Sequence, residues 1–256
     1  MTMKKTLLAV TLTLLSGATF AADSNLKQYG LTLSGNVGLT SDYRFRGVSQ
    51  TQDDPALQAS LTLAHDSGVY LGVFASNVSF ADNVNLELDP SIGFSTPIHI
   101  GILQPTLDIG VAYYNYTSAK DFNYPEAYAK LSFADNFVKG DNLTPSIYYA
   151  NQYGGKAGRV DGSDVDNFNV TLAYSFPVAD TGFGGVTSIG YTKAGEKIYG
   201  DDDNFVDWKV GTTYAVKAVD GLTAELDVVG TNMKGYTGVA KRTVDTGAVF
   251  SVTKAF

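Results

Sequence analysis

Along most of the chain apolar and polar residues alternate strictly, and each alternating run is closed by Gly, Asn, Asp or Pro, so the pattern predicts strands and little helix. In the first clear run Leu31, Leu33, Val37, Leu39, Tyr43 and Phe45 share one face. Thr32, Ser34, Asn36, Thr40, Asp42, Arg44 and Arg46 share the other, and a single strand carries them all in this reading. A second run sets Val84, Leu86, Leu88, Pro90, Ile92 and Phe94 against Asn85, Glu87, Asp89, Ser91, Gly93 and Ser95. Pro90 cannot donate to a ladder, which predicts a bulge or a lost hydrogen bond there. Runs at 103–113, 168–176, 208–216 and 222–228 repeat the theme and put Asp108, Glu225 and Asp227 on polar faces. Less regular candidates at 57–65, 70–80, 125–133, 143–151 and 186–192, with a C-terminal run, bring the total to about twelve strands, an even number as suits a single-chain bacterial barrel with both termini in the periplasm.

Several runs continue for ten or more residues. That length matches the roughly 9 to 11 residues a tilted strand needs to cross a bilayer, and exceeds the roughly 5 to 6 usual in soluble sheets. A soluble sandwich or lipocalin-like barrel would alternate in the same way with its apolar face inward. The connectors fall into two alternating classes. Asp66 to Gly68, Thr96 to Gly101, Asn136 to Asn142 and Lys217 to Gly221 are short or compact. Gly47 to Asp54, Gly154 to Asp164, Ala194 to Asn204 and Lys234 to Asp245 are mostly longer, polar and acidic, and would face the outside.

The N-terminus changes the picture by fixing a compartment. Lys4 and Lys5 precede an apolar run from Leu7 to Leu15, then small residues up to Ala21 and Ala22, the form of a cleaved secretory signal over 1–21. The run is shorter than a membrane helix needs. Residues 22–256 are then the mature chain, expected to be an all-β, transmembrane, antiparallel up-and-down barrel of the outer membrane. An exported chain without cysteine has no disulfide framework. The whole sequence has 18 basic and 26 acidic residues for a net charge of −8; without the two signal lysines, 16 basic residues face 26 acidic ones, or −10, which excludes nucleic acid as a partner.

Val244 to Phe256 reads as an amphipathic strand with Val244, Ala248, Phe250, Val252 and Phe256 on one face. Its terminal aromatic resembles the signal read by the barrel-assembly machinery, for which Phe250, Val252 and Phe256 are the candidate residues. Lys254 departs from that pattern, and can extend its ammonium into headgroups. The segment SDYRFRGVSQT at Ser41 to Thr51, followed by Asp53, Asp54, Pro55 and Ala56, resembles the N-terminal hallmark of the TorF family of porin-like proteins. The resemblance runs on through His65, Asp66, Ser67 and Gly68, then Ala75 to Val78, and ends in Thr253 to Phe256. It implies an outer-membrane barrel for passive transport and carries no catalytic residues.

Candidate chemistry lies on the polar faces. Asp42, Arg44 and Arg46 on one wall, with Glu87, Asp89, Asp108, Glu225 and Asp227 on others, would set a transverse field that selects small polar or charged solutes. The same residues could equally fill a narrow lumen with ion pairs, leaving a non-conducting surface protein, structural anchor or adhesin that acts through its loops. Tyr29, Tyr43, Phe45, Phe80, Tyr113, Tyr114, Tyr116, Tyr148, Tyr149, Tyr153, Tyr191 and Phe256 fall near strand ends, as aromatic girdles do; Tyr on a polar face would instead favour a sugar-stacking platform. His65, Asp66 and Ser67 read as a polar turn, since sequence neighbours on a turn rarely converge, and no enzyme is expected. Asp161, Asp164 and Asp166, and Asp201, Asp202 and Asp203, read as solvated loop charge, with divalent-bridged lipopolysaccharide as their functional alternative. No metal or cofactor is expected, and the expected partners are outer-membrane lipid, lipopolysaccharide, the assembly machinery and small solutes.

Overall fold

The computed structural model describes residues 26–256; the signal expected at 1–21 lies outside the described residues. Twelve long strands follow one another around a closed antiparallel barrel: β1 (Leu31–Thr40), β4 (Ala56–His65), β5 (Val69–Asn77), β6 (Leu86–Pro97), β7 (Thr106–Tyr114), β8 (Tyr124–Ala134), β9 (Asn142–Ala150), β10 (Asn167–Pro177), β11 (Phe183–Ala194), β12 (Asn204–Ala215), β13 (Leu222–Thr231) and β14 (Gly247–Ala255). The two missing numbers are short strands, β2 (Arg44–Phe45) and β3 (Val48–Ser49), which pair only with each other. A helix, α1 (Gly238–Val244), interrupts the β13–β14 connector.

The ring closes where Asn36 to Thr40 of β1 pair with Ala255 to Ser251 of β14, and Gly35 and Phe256 exchange both backbone hydrogen bonds. Closure matters because lipid offers no partner to a free sheet edge. Strand lengths of 9 to 12 residues suit a bilayer crossing. Outward positions carry Leu57, Leu71, Ile92, Val111, Ile147, Ile189, Val210 and Phe250, all exposed apolar side chains. Leu57 and Val210 are 58% and 57% exposed, which in water would be an unbroken apolar belt and in hydrocarbon is the expected surface. Inward positions read Gln58, Ser60, Thr62, Ser91, Ser188 and Ser251, so the alternation has its polar face inside and the soluble-barrel arrangement is excluded.

The turns divide as the connector lengths predict. The chain ends and the compact turns share one end of the barrel; the longer connectors share the other. Pro90 behaves as a lost bond without a bulge. Pairing with β7 stops after Ser91↔Ala112 and resumes in unchanged register at Glu87↔Tyr116, while Asp89 Oδ1 takes the freed Asn115 N–H at 2.9 Å.

The structure corrects two expectations about the strands. β1 ends at Thr40 rather than running on to Arg46, because Ser41 to Pro55 turn into the barrel. Tyr43 and Phe45 therefore meet Phe74 and Tyr114 inside, not lipid. Val244 lies at the end of α1, buried, and shares no face with Phe250, Val252 and Phe256, which do point outward on β14 and beyond it.

Candidate functional site

The connector from β1 to β4 builds the site. Its β2–β3 hairpin turns on Arg46 and Gly47, both at positive φ (48° and 79°), the geometry of a two-residue primed turn. A non-glycine residue held there costs on the order of 1 kcal/mol, so something must hold it. Asp42, buried, anchors the base: its carboxylate accepts from Ser49 Oγ, Thr51 Oγ1 at 3.0 Å and Arg44 Nε. The Arg44 guanidinium also donates to Asp53 Oδ1 at 2.9 Å and to the carbonyls of Gly47, Thr243 and Asp245 at 3.0 to 3.1 Å. Every arm of Arg44 is thus engaged, fastening the hairpin to the end of α1.

Arg46 leaves the hairpin in another direction. Its guanidinium donates to Glu126 Oε1 on β8 at 2.7 Å and to Asn167 Oδ1 on β10 at 3.4 Å, and lies 4.7 Å and 5.1 Å from the ring centres of Phe45 and Tyr148. Glu126 accepts a second bond from Tyr114 Oη at 3.1 Å. The pair is sealed from water, with side-chain exposures of 8% and 2%. On the opposite side Gly47 presses on the far wall: a Cβ there would collide with Thr231 Cγ2 and the Gly230 carbonyl of β13. The hairpin tip therefore reaches from β13 to β8 and β10 and crosses the lumen. Arg44 and Arg46 do not point the same way, as simple alternation in one strand required; one is a clamp, the other a bridge.

Above the hairpin, aromatic rings from the longer connectors and adjoining strand ends form an arc. Tyr114 stacks on Tyr124 with centroids 4.8 Å apart, Tyr153 meets Tyr124 at 5.1 Å, and Tyr199 packs edge-on against Phe205 at 4.7 Å. Phe80, Tyr116 and Phe122 form a second cluster. Burial holds the phenols of Tyr116, Tyr153 and Tyr199 above their ordinary value, so they act as neutral groups. Tyr113, Tyr149 and Tyr191 are exposed on the outer face as a girdle should be, but Phe45, Phe80, Tyr114, Tyr116, Tyr148 and Tyr153 are inside. They pack on one another and on Arg46 and leave a cavity of about 250 Å³.

Below the hairpin the lumen opens into a cavity of about 690 Å³. Asp89, Asp207, Lys209 and Asp227 line it together with Phe45, Phe74 and Tyr114. Lys209 Nζ is 2.8 Å from Glu225 and 3.7 Å from Asp227. Asp108 accepts from Tyr70 Oη at 2.6 Å and lies 3.8 Å from Lys130. Glu87 takes the Tyr116 hydroxyl at 3.2 Å. Glu87, Asp89, Asp108, Glu225 and Asp227 thus all face inward, as the alternation predicts. Sequence reasoning missed Glu126, Lys130, Asp207 and Lys209, although each sits at the inward phase of a readable strand: Tyr124, Glu126, Tyr128 and Lys130 alternate with Pro125, Ala127, Ala129 and Leu131.

Elsewhere, His65 Nδ1 and Ser67 Oγ do converge, at 2.8 Å, against the expectation for turn neighbours. The Ser67 N–H also donates to Nδ1 at 3.0 Å, so the contact ties an exposed turn. In the connectors Asp164 pairs with Arg159 at 2.7 Å, which holds its carboxyl below the usual range, and Lys193 does the same to Asp203. Among the described residues no group of three or more His, Cys, Asp or Glu is placed to hold a metal ion.

Residues 25–256 match a family model described as a bacterial protein of unknown function, Gcw_chp. No curated protein matches the sequence. Among solved structures the fold is similar to that of the NanC porin, with 10% identity, a TM-score of 0.56, and 88% of this chain and 98% of that chain covered. OccK11 (OpdR) of Pseudomonas aeruginosa matches at 12% identity and TM-score 0.46, over 89% of this chain and 66% of that one. An outer membrane channel from Pseudomonas putida F1 matches at 9% identity and TM-score 0.47, over 88% and 95%. The likeness to NanC is one of fold.

Proposed function

We propose that this chain, which belongs to the Gcw_chp family, is an outer-membrane channel for passive diffusion of small polar or charged solutes, constricted by its own β2–β3 hairpin. The observation that carries the reading is a lumen lined by small hydroxyl residues and by acidic and basic side chains, leading to a cavity of about 690 Å³ directly beneath that hairpin. A barrel that serves only as an anchor has no need of a polar interior of that size. The TorF resemblance points the same way, as does export by residues 1–21 with assembly through the Phe250, Val252 and Phe256 strand. On this orientation the longer connectors face outward, toward lipopolysaccharide, and no catalytic step is involved.

The sealed Arg46–Glu126 pair favours a second reading, a barrel closed at rest that acts through its outer connectors. Planar-bilayer recording on the purified, folded barrel separates them. The channel reading expects discrete conductance steps that vanish on heat unfolding; a folded barrel without steps at any holding potential would leave the second reading standing.

A further inference from the structure

The cavity of about 250 Å³ above the hairpin has walls that are almost wholly aromatic. Tyr124 and Tyr153 meet at 5.1 Å, Tyr199 and Phe205 at 4.7 Å, and Phe80 and Phe122 at 5.5 Å, so rings from the wall and from the longer connectors enclose it together. Arg46 is the charged residue of its lining, and Glu126 meets that charge at 2.7 Å. The cavity therefore presents no net charge to attract an ion. Three polar groups on the lining have hydrogen-bonding capacity to spare. The Tyr124 hydroxyl, on a residue 4% exposed, has no hydrogen-bond partner among the described residues. Nor has Nε of Arg46, whose side chain is 8% exposed, nor the amide oxygen of Gln50, whose amide nitrogen donates to the Val48 carbonyl at 3.0 Å. Among the described residues, the unpartnered side-chain atoms sealed from water belong to Glu87, Asp207 and Asp227. Tyr124, Arg46 and Gln50 thus keep these groups in contact with open space, and the cavity is a space that all three line.

Rings and spare hydrogen-bonding groups together select a chemistry. The negative face of an aromatic ring attracts weakly positive C–H groups. A polar group left unmet at such depth is costly, and a ligand that meets it recovers the cost. A pyranose presents C–H groups on its faces and hydroxyls around its rim, so it lies on the rings while its hydroxyls meet Arg46, Tyr124 and Gln50. A purely aromatic solute would stack and leave all three unmet; an ion would find no counter-charge. A volume of about 250 Å³ lies just below the roughly 300 to 1,000 Å³ of pockets for drug-sized ligands, which suits a single ring.

We propose that this cavity is a subsite for one neutral sugar ring, stacked on Tyr124 and Tyr153 and hydrogen-bonded by the Tyr124 hydroxyl, the Arg46 Nε–H and the Gln50 amide. The inference rests on the channel reading for its role, naming sugars as solutes that pause above the hairpin, but binding itself is measured without conduction. Saturation-transfer NMR on the folded barrel, in a detergent without a sugar headgroup, should show methyl β-glucoside or methyl β-galactoside receiving magnetisation at its ring C–H protons, with saturation in the millimolar range. Tyr124→Phe keeps the ring and removes a hydroxyl that bonds nothing in the barrel, so folding should be unaffected and binding should weaken about fivefold, the loss of one neutral hydrogen bond. Tyr124→Leu should weaken it further by removing the stacking face as well. The graded pair separates the hydroxyl from the ring.

Absence of transfer to either sugar in the folded wild type, or equal binding by Tyr124→Phe, would overturn the subsite. Binding of p-cresol with neither sugar bound would overturn it too, in favour of an aromatic solute. Sugar binding by a barrel that gives no conductance steps would leave the subsite intact and sink the channel. Conductance steps from a barrel that binds neither sugar would sink the subsite and spare the channel.

Discussion

The two halves of the lumen obey different rules. Toward the chain ends and compact turns, many inward positions carry small hydroxyl side chains that remain partly exposed inside the barrel, Thr62, Ser95, Ser132, Thr144, Ser175, Thr213, Thr223 and Thr253, set among Tyr70, Asp108, Lys130 and Glu225. Toward the longer connectors the inward positions are Glu87, Asp89, Glu126, Asn167, Asn169, Thr192 and Asp207, all buried, packed under aromatic rings and the hairpin. The strands are the same ring of alternating residues in both halves. What differs is that one half is filled by a connector and the other is left to water. The narrowing therefore belongs to the filled half, and the sharpest way to break the contrast is to remove the filling.

Replacing residues 42–54 with a short Gly-Ser linker takes out Arg44, Arg46 and the hairpin together while leaving the barrel ladder from Thr40 and Ala56 in place. Single-channel conductance should rise several-fold, toward the value set by the wall alone. An unchanged conductance would mean that the hairpin does not lie in the path.

A smaller change tests the bridge alone. Arg46→Ala leaves the Glu126 carboxylate buried without its cation, a situation that costs about 3 to 5 kcal/mol in other buried pairs. The midpoint of urea unfolding, read by loss of the folded band on unheated gels, should fall markedly for Arg46→Ala, less for Glu126→Gln, and least for the double variant, because removing both charges leaves no orphan. Additive losses in the double variant would show that the two groups do not interact. Conductance should rise in all three, though less than on deleting the hairpin.

The contrast also explains what was legible in the sequence. The open half is governed by a period of two, so which residues face lipid and which face water follows from parity, and Asp108, Glu225 and Asp227 landed where parity puts them. The filled half is governed by a turn within an apparently perfect alternation. Leu39, Tyr43 and Phe45 keep step with Leu31, yet the backbone leaves the wall after Thr40. The signal lay in Arg46-Gly47 between Phe45 and Val48, a pair of turn positions flanked by apolar residues, and in the four acidic or hydroxyl residues Asp42, Ser49, Thr51 and Asp53 that bind back on the hairpin base. Parity has nothing to say about such local closure, nor about which distant wall a long arginine reaches. Many aromatics assigned to the outer girdle belong inside: Tyr113, Tyr149 and Tyr191 stand on strands at outward parity and do face out, Tyr114 and Tyr148 stand on β7 and β9 at inward parity, and those on connectors such as Tyr116 and Tyr153 have no parity to follow.

The smallest effect expected lies at the opposite end of the barrel, in the 135–141 turn. Asp141 accepts the backbone N–H groups of Asn136, Phe137 and Val138 at 2.9 to 3.0 Å and the Tyr174 hydroxyl at 2.9 Å. Burial works to raise its pKa, but these four donors outweigh it and hold the carboxyl below the usual range. A carboxyl whose folded value is depressed stabilises the folded state fully above its unfolded value of about 4, and loses that contribution as pH falls toward the folded one. The wild type should therefore be more resistant to thermal unfolding than Asp141→Asn at pH 7, with the difference shrinking steadily as the pH is lowered below about 4. The hairpin and its conductance should be untouched, since the turn lies at the far end of the lumen from Arg46. A stability difference that stays constant between neutral and acid pH would show that the carboxylate charge contributes nothing to the turn.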